Sequence, residues 1–307
     1  MGTMIISTLI RTLIAGTPLL LGTLGEIVAE RSGVLNLGVE GMMAIGAMTA
    51  FTVTLTTGSP WLGLLCAIVA GTLAAGIHAF VSITLKAKQV VSGLALTMLG
   101  LGVSGLFGKP FIGRPLPSKL NVLPIPGLAD IPVVGRILFT QDPLFYLAVI
   151  LGILLWILLS RTRWGIEIRS VGENPAAAEV QGINVTRIRY LSVLLGGALA
   201  GMAGAHLSLV YSKSWTEGLT GGRGWIVIAL TIFALWNPLR AFLGAFLFGC
   251  IFVLQYLLQP IGVPPNLLAM MPYLATLTVL LAGGLRKDRR RLMAPAKLAE
   301  AYTKGER

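Results

Sequence analysis

The sequence predicts an all-α fold of the membrane kind, a polytopic helix bundle, and three observations carry that prediction. Of the 307 residues, 55% are hydrophobic and only 12% are charged, about half the charged share of soluble domains. The mean hydropathy is +0.84. The apolar residues gather in runs long enough to cross a hydrocarbon core, which takes about 20 residues of helix. Finally, Lys and Arg are sorted between alternate connections.

The runs occupy residues 4–25, 33–57, 61–85, 89–108, 142–159, 188–212, 239–258 and 265–284, with Trp225 to Trp236 as a shorter ninth. Met1 to Leu24 has no basic leading region and no small-x-small cleavage site, so the first run is expected as a retained span. If Met1 to Leu13 lies flat in the interface instead, about nine crossings become eight.

One set of connections holds Arg31, Lys86, Lys88, Arg161, Arg163, Arg169, Arg187, Arg189, Arg240 and a basic tail over residues 285–307. The opposite set holds Lys109, Arg114, Lys119, Arg136, Lys213 and Arg223. The excess of positive charge marks the cytoplasmic side. The C-terminus is therefore expected in the cytoplasm and the N-terminus outside, with Arg11 snorkelling outward or pairing within the bundle.

This sorting explains the net charge of +12 without a nucleic-acid partner, because the basic residues are dispersed and lack interleaved aromatics; the tail sits beside anionic lipid. Cys66 and Cys250 stand alone in apolar runs and are expected as buried thiols. His78 and His206 also lie in apolar runs, read as hydrogen-bonded packing residues, and no metal constellation is expected.

The chain reads as a single transmembrane domain over residues 1–307, with two long connections. Residues 108–142 are rich in proline and predict an ordered, largely irregular external cap. Residues 161–190 form the long cytoplasmic loop. Within it Asn174 is an N-cap with Pro175 at the first helical position, Ala176 to Gln181 favour helix, and Gly182 ends it. A short helix of about two turns follows, presented between two spans.

"SGVLNLGVEGMMAIGAMTAF", Ser32 to Phe51, sets Asn36 and Glu40 into an apolar run, although polar groups in hydrocarbon are costly. Ser32 is expected to cap the second span, and Asn36 and Glu40, one helical turn apart, to share an inward face with Gly33, Gly38, Gly41 and Gly46. Trp236 and Asn237 mark a comparable break at "WNPLRAF" before Gly244 and Gly249, a weak internal repeat. Interrupted segments in corresponding halves point to a transport pathway, which makes Asn36, Glu40, Trp236 and Asn237 gate candidates. The plainer alternative is an interfacial helix start with Glu40 in its first turns and a tight turn at Asn237 and Pro238. Gly196, Gly197, Gly201 and Gly204 make the sixth span a close-packing helix. The "GGRG" of residues 221–224 lacks the phosphate-loop pattern and lies on the outer side, so it cradles no ATP.

The stretch "VGENPAAAEVQGINVTRIR" resembles the ATPase-coupling loop of ABC importer permeases in the branched-chain amino acid and simple-sugar family, although the leading Glu of the usual motif is replaced by Ala176. "SGVLNLGVEGMMAIGA" and "ALWNPLRAFLGAFLFG" resemble segments of its nucleoside and simple-sugar branch. The likeness implies a permease subunit of an ATP-driven importer, for nucleosides or else for simple sugars of the ribose or galactose kind. It assigns ATPase coupling to Gly172, Glu173, Asn174, Pro175, Ala177, Ala178, Glu179 and Gly182. It also implies a prokaryotic plasma-membrane location and, as partners, an ABC ATPase carrying ATP and Mg, a second, different permease, and an external binding protein. No catalytic residue and no cofactor of its own are expected in this chain. The competing class is an ion-coupled secondary transporter, against which stands the expectation that the spans carry no ionisable relay.

Overall fold

The computed structural model describes residues 2–284 and 294–303; the run from Arg286 to Arg291 lies outside the described residues. Polar caps punctuate the apolar runs and divide them into helices. In chain order these are α1 (Gly2–Arg31), α2 (Val39–Thr57), α3 (Pro60–Ala79), α4 (Gln89–Gly108), α5 (Val134–Leu138), α6 (Pro143–Arg161), α7 (Arg163–Glu173), α8 (Pro175–Val180), α9 (Val185–His206), α10 (Arg223–Phe233), α11 (Pro238–Leu258) and α12 (Pro265–Gly284). Ser59, Asp142, Thr162, Asn174, Asn184 and Asn237 each accept a backbone N–H of the helix that follows, which satisfies donors that have no intrahelical partner. A π-helical turn extends α3 over Phe80–Thr84 and another extends α9 over Leu207–Tyr211.

Each predicted run falls on a helix. Among the described residues seven helices are long and apolar enough to cross a membrane, and α10 is a shorter apolar helix. The proline-rich stretch between α4 and α6 holds α5 and one antiparallel pair, Leu123–Pro124 with Thr140–Gln141.

Large apolar side chains point outward, as expected of surfaces that meet lipid. On α11 the outward row is Leu243, Leu247, Cys250 and Leu254. Cys250 is thus exposed and Cys66 half-buried, a correction to the expected buried thiols; for Cys250 the three-to-four spacing of that row is the reason. The interior instead holds small residues. The centre is α9, which packs on α1, α2 and α3, and its span is 83% buried. A Cβ on Gly46 of α2 would come within 2.5 Å of the Gly201 carbonyl of α9, so the backbones touch where the sequence offered only small residues.

Candidate functional site

α4 serves as a ruler through the bundle. Its 20 residues rise about 30 Å, the thickness of a hydrocarbon core. Residues 32–38 climb along its first half. The Leu35 N–H donates to Gln89 Oε1 at 2.7 Å, Leu37 lies against Gly93, and Gly41 lies against Leu96, Thr97 and Gly100. From the other end, Trp215 packs on Gly108 and Glu217 on Gly105, and residues 212–222 descend to the start of α10. The two irregular segments meet near the middle of α4.

The second span therefore begins at Val39, not at residue 33. Ser32 caps nothing, its hydroxyl donating back to the Ala29 carbonyl at 2.7 Å, and Asn36 shares no helix with Glu40. The Gly33 and Val34 N–H groups return to the Glu30 and Ala29 carbonyls at the end of α1, and beyond them side chains take over much of the backbone of residues 35–38. The Asn36 N–H donates to Glu26 Oε1 at 3.1 Å, and the Gly38 N–H to Asn36 Oδ1 at 3.0 Å. Thr97 donates to the Leu37 carbonyl at 2.8 Å, and His78 Nε2 lies 3.1 Å from the Leu35 carbonyl while Nδ1 lies 3.0 Å from Ser92 Oγ. His78 is the hydrogen-bonded packing residue expected of it, and its task is to hold this segment.

Glu40 is 4% exposed, and its carboxylate lies in a cradle built by the other break. Oε1 accepts from Thr220 Oγ1 at 2.6 Å and from the Gly222 N–H at 2.8 Å; Oε2 accepts from the Gly224 N–H at 2.5 Å. Gly221 and Gly222 have positive φ, which turns successive amides toward one point, and α10 begins there without a side-chain cap of its own. An anion is favoured at such a helix start. The "GGRG" segment is thus an anion cradle, filled by a carboxylate of the same chain, and Glu40 sets it beside the middle of α4, where Gly41 meets Gly100. Arg223 beside it is 7% exposed and stacks over Tyr211 and Phe252, with its carbon 4.9 and 4.6 Å from the ring centroids. Sequence reasoning counted it among loop charges; it is a bundle residue.

The far end of α10 meets the end of α1. Leu235 and Trp236 both have φ of 53°, a strained conformation for side chains of that size. Arg31 secures both carbonyls, Nε to Trp236 at 3.2 Å and Nη2 to Leu235 at 3.3 Å, and the Trp236 indole donates to Glu30. Asn237 caps α11, its Oδ1 accepting the Leu239 N–H at 2.9 Å. Glu26 and Glu30, both 1% exposed, stand one turn apart with their carboxyl groups against each other. Each carboxylate serves a different break, Glu26 the one at Asn36 and Glu30 the one at Trp236.

Of the gate candidates, Asn36, Glu40 and Trp236 are buried and Asn237 half-buried. Asn36 and Trp236 are each held by a glutamate of α1, Glu26 and Glu30, whereas Glu40 is held at the start of α10 by Thr220, Gly222 and Gly224.

The coupling candidates gather on α7 and α8. Asn174 Oδ1 accepts the Ala177 N–H at 3.0 Å. At the other end the Ile183 N–H returns to the Ala178 carbonyl at 3.0 Å and the Gly182 N–H to Glu179 at 2.9 Å, with Gly182 at φ +82°: a glycine-closed helix. Pro175 and Ala178 face inward, while Ala177, Gln181 and Gly182 are exposed and Val180 is 86% exposed. Gly172 is seated on Arg31, where a Cβ would meet the Arg31 carbonyl at 2.2 Å.

Sequence reasoning missed three features. Asp142 lies 3.5 Å from His206, both buried. Burial alone would raise the Asp142 carboxyl, but His206 and the N–H groups of Leu144 and Phe145 outweigh it and hold it below its usual range. Arg189 is 2% exposed, and residues 294–303 fold back on α7, α8 and α9. Only the Asp142-Pro143 cap gave a local signal.

Long apolar spans interrupted at mid-depth, with a short capped helix at one end, define a membrane transport protein. The family described as "Branched-chain amino acid transport system / permease component" matches residues 8–281, and the chain belongs to it. It is 40% identical to the "Putative glucose ABC transporter permease protein TsgC13" of Haloferax volcanii, over 95% of this chain and 96% of that one. It is 37% identical to the "Guanosine ABC transporter permease protein NupQ" of Bacillus subtilis, over 96% of each. With the "Nucleoside ABC transporter permease protein NupC" of Lactococcus lactis it shares 36% identity over 87% of this chain and 89% of that one. No solved structure matches the chain. The chain is a multi-pass permease subunit of an ABC transporter.

Proposed function

We propose that this permease imports nucleosides across a prokaryotic plasma membrane, with nine crossings, an external N-terminus and α7 and α8 on the cytoplasmic side. The observation that carries the coupling role is α8: two turns, capped at both ends, anchored by Pro175 and Ala178, with Val180 presented at 86% exposure. A separate ATPase docks on that face, together with Glu173, Glu179 and Gly182, and supplies ATP and Mg chemistry that this chain does not perform. Motion of α8 reaches the gate through Gly172 on Arg31, whose guanidinium holds the turn at Leu235 and Trp236. Asn36, Glu40, Trp236 and Asn237 act as joints of that gate.

A second, different permease completes the pathway, and an external binding protein delivers the solute. The nucleoside assignment rests on the likeness to the guanosine and nucleoside permeases; the likeness to the putative glucose permease of Haloferax supports a simple-sugar permease as the second reading.

The test is uptake of labelled nucleosides and simple sugars by the complex purified with its ATPase, in vesicles with and without ATP. Nucleoside accumulation that requires ATP is expected. Accumulation driven by an ion gradient alone overturns the reading. Deleting residues 173–181 should abolish uptake while leaving the permease folded.

A further inference from the structure

The chain does not end its work at α12. We propose that residues 294–303 form a strap that ties the coupling helix α8 to the re-entrant segment at Gly33 and so acts as a second, parallel arm of energy transmission. This rests on the reading of α8 as the ATPase contact.

The strap holds its own shape by turns from Leu298 to Pro295 and Glu300 to Lys297 and by a Lys297–Glu300 ion pair; other polar groups of it bond to neighbouring elements. The Ala296 N–H donates to Glu173 Oε2 at 3.2 Å and the Lys297 N–H to the Gly172 carbonyl at 3.0 Å, which fixes the strap to the end of α7. The Ala299 N–H donates to the Gly33 carbonyl at 3.2 Å, which reaches the start of the first break. The Glu300 carbonyl accepts from Arg189 Nη1 of α9 at 3.1 Å and from Gln89 Nε2 of α4 at 3.4 Å. The Tyr302 hydroxyl donates to Glu179 Oε2 of α8 at 2.5 Å, and that bond pushes the phenol above its ordinary range. Pro295 is buried, and Ala294, Leu298 and Tyr302 pack against the core.

The joint at Gly33 is tight. With φ at +87°, a Cβ there would lie 3.0 Å from Arg189 Nη2 and 3.1 Å from the Lys297 carbonyl. Backbone bonds directly to backbone here, the Ala299 N–H on the Gly33 carbonyl, with the buried Arg189 guanidinium packed alongside, the condition under which a displacement is passed on and not absorbed. Gln89 completes the connection. Its Oε1 holds the Leu35 N–H while its Nε2 holds the Glu300 carbonyl, so one side chain touches both the strap and the segment that leads to Glu40. α8 itself packs on α7 and α9; the strap adds a route from Glu179 to Gly33.

The strap makes Tyr302 a positioning residue, and the expected signature is uncoupling: ATP is hydrolysed but less solute moves per ATP. The experiment uses the complete complex of permeases, ATPase and binding protein in proteoliposomes, reading ATP hydrolysis and uptake together. A chain ending at residue 293, which keeps the Arg286 to Arg291 run, should assemble with the ATPase and lose at least about tenfold in uptake per ATP. Tyr302→Phe should lose about threefold, Glu179→Gln about the same, and the double variant no more than either. An intact ratio, within about twofold, in the truncated chain overturns the strap. If the truncated chain fails to assemble, Tyr302→Phe and the double variant decide by the same ratio. A wild-type complex without ATP-dependent uptake removes the permease reading itself; wild-type uptake with an unaffected variant removes only the strap.

Discussion

The two interruptions of the bundle solve one problem in different ways. Both residues 32–38 and residues 212–222 carry non-helical backbone at membrane depth, where each unpaired amide or carbonyl is costly. The first is stapled by many side chains from three helices: Glu26 of α1, His78 of α3, and Gln89 and Thr97 of α4. The second is built of glycine turns that close on themselves, the Gly221 N–H on the Gly218 carbonyl and the Arg223 N–H on Thr220, with Arg223 Nη1 donating to the Leu219 and Thr220 carbonyls; from other helices it takes three bonds to Glu40 of α2 and one from Tyr273 of α12. Redundancy thus belongs to the first break and dependence to the second. One break is held from three helices, the other chiefly at one point, the Glu40 carboxylate.

Removing that point should have the largest effect. Glu40→Ala strands Thr220, Gly222 and Gly224 and should cost about 4 kcal/mol, with Glu40→Gln, which keeps one acceptor, near half of that. The readouts are the thermal midpoint in detergent and amide hydrogen exchange, which should accelerate at residues 220–224 while residues 33–38 stay protected. Unchanged exchange at 220–224 breaks the comparison. Gly224→Ala comes next: its Cβ would lie 2.5 Å from Glu40 N and Cα, backbone that cannot yield, for about 2 kcal/mol by overpacking. Gln89→Leu removes one staple of the first break and should cost about 1 to 2 kcal/mol, with exchange rising at Leu35 alone. Thr97→Val, nearly the same shape without the hydroxyl, should cost about 1 kcal/mol or less. A staple loss as damaging as Glu40→Ala would show the first break to be no more redundant than the second.

The long spans were legible because hydrophobic runs and their caps are local signals. So was α8, whose Asn174, Pro175 and Gly182 each act within a few residues of their own position. Asn36 and Glu40 were recognisable as anomalies, yet their partners were not, because Glu40 meets Thr220 and Gly224 across about 180 intervening residues and no local pattern encodes that meeting. The irregular start of the second span suits its own composition, since Ser32, Gly33, Asn36 and Gly38 are weak helix formers, but the glutamate, glutamine and threonine that hold it come from elsewhere in the chain. For "GGRG" the sequence excluded an ATP cradle but gave no sign that its glycine amides hold a carboxylate of the same chain.

The position of α9 carries a consequence for how the protein is made. Chains are synthesised from the N-terminus at about 5 to 20 residues per second, so α1, α2 and α3 reach the bilayer well before the helix they surround. Until Val185 to His206 arrives, their glycine-lined flanks face lipid with nothing to match them. The bundle is therefore completed from the outside inward, and its axis is among the later pieces to be installed.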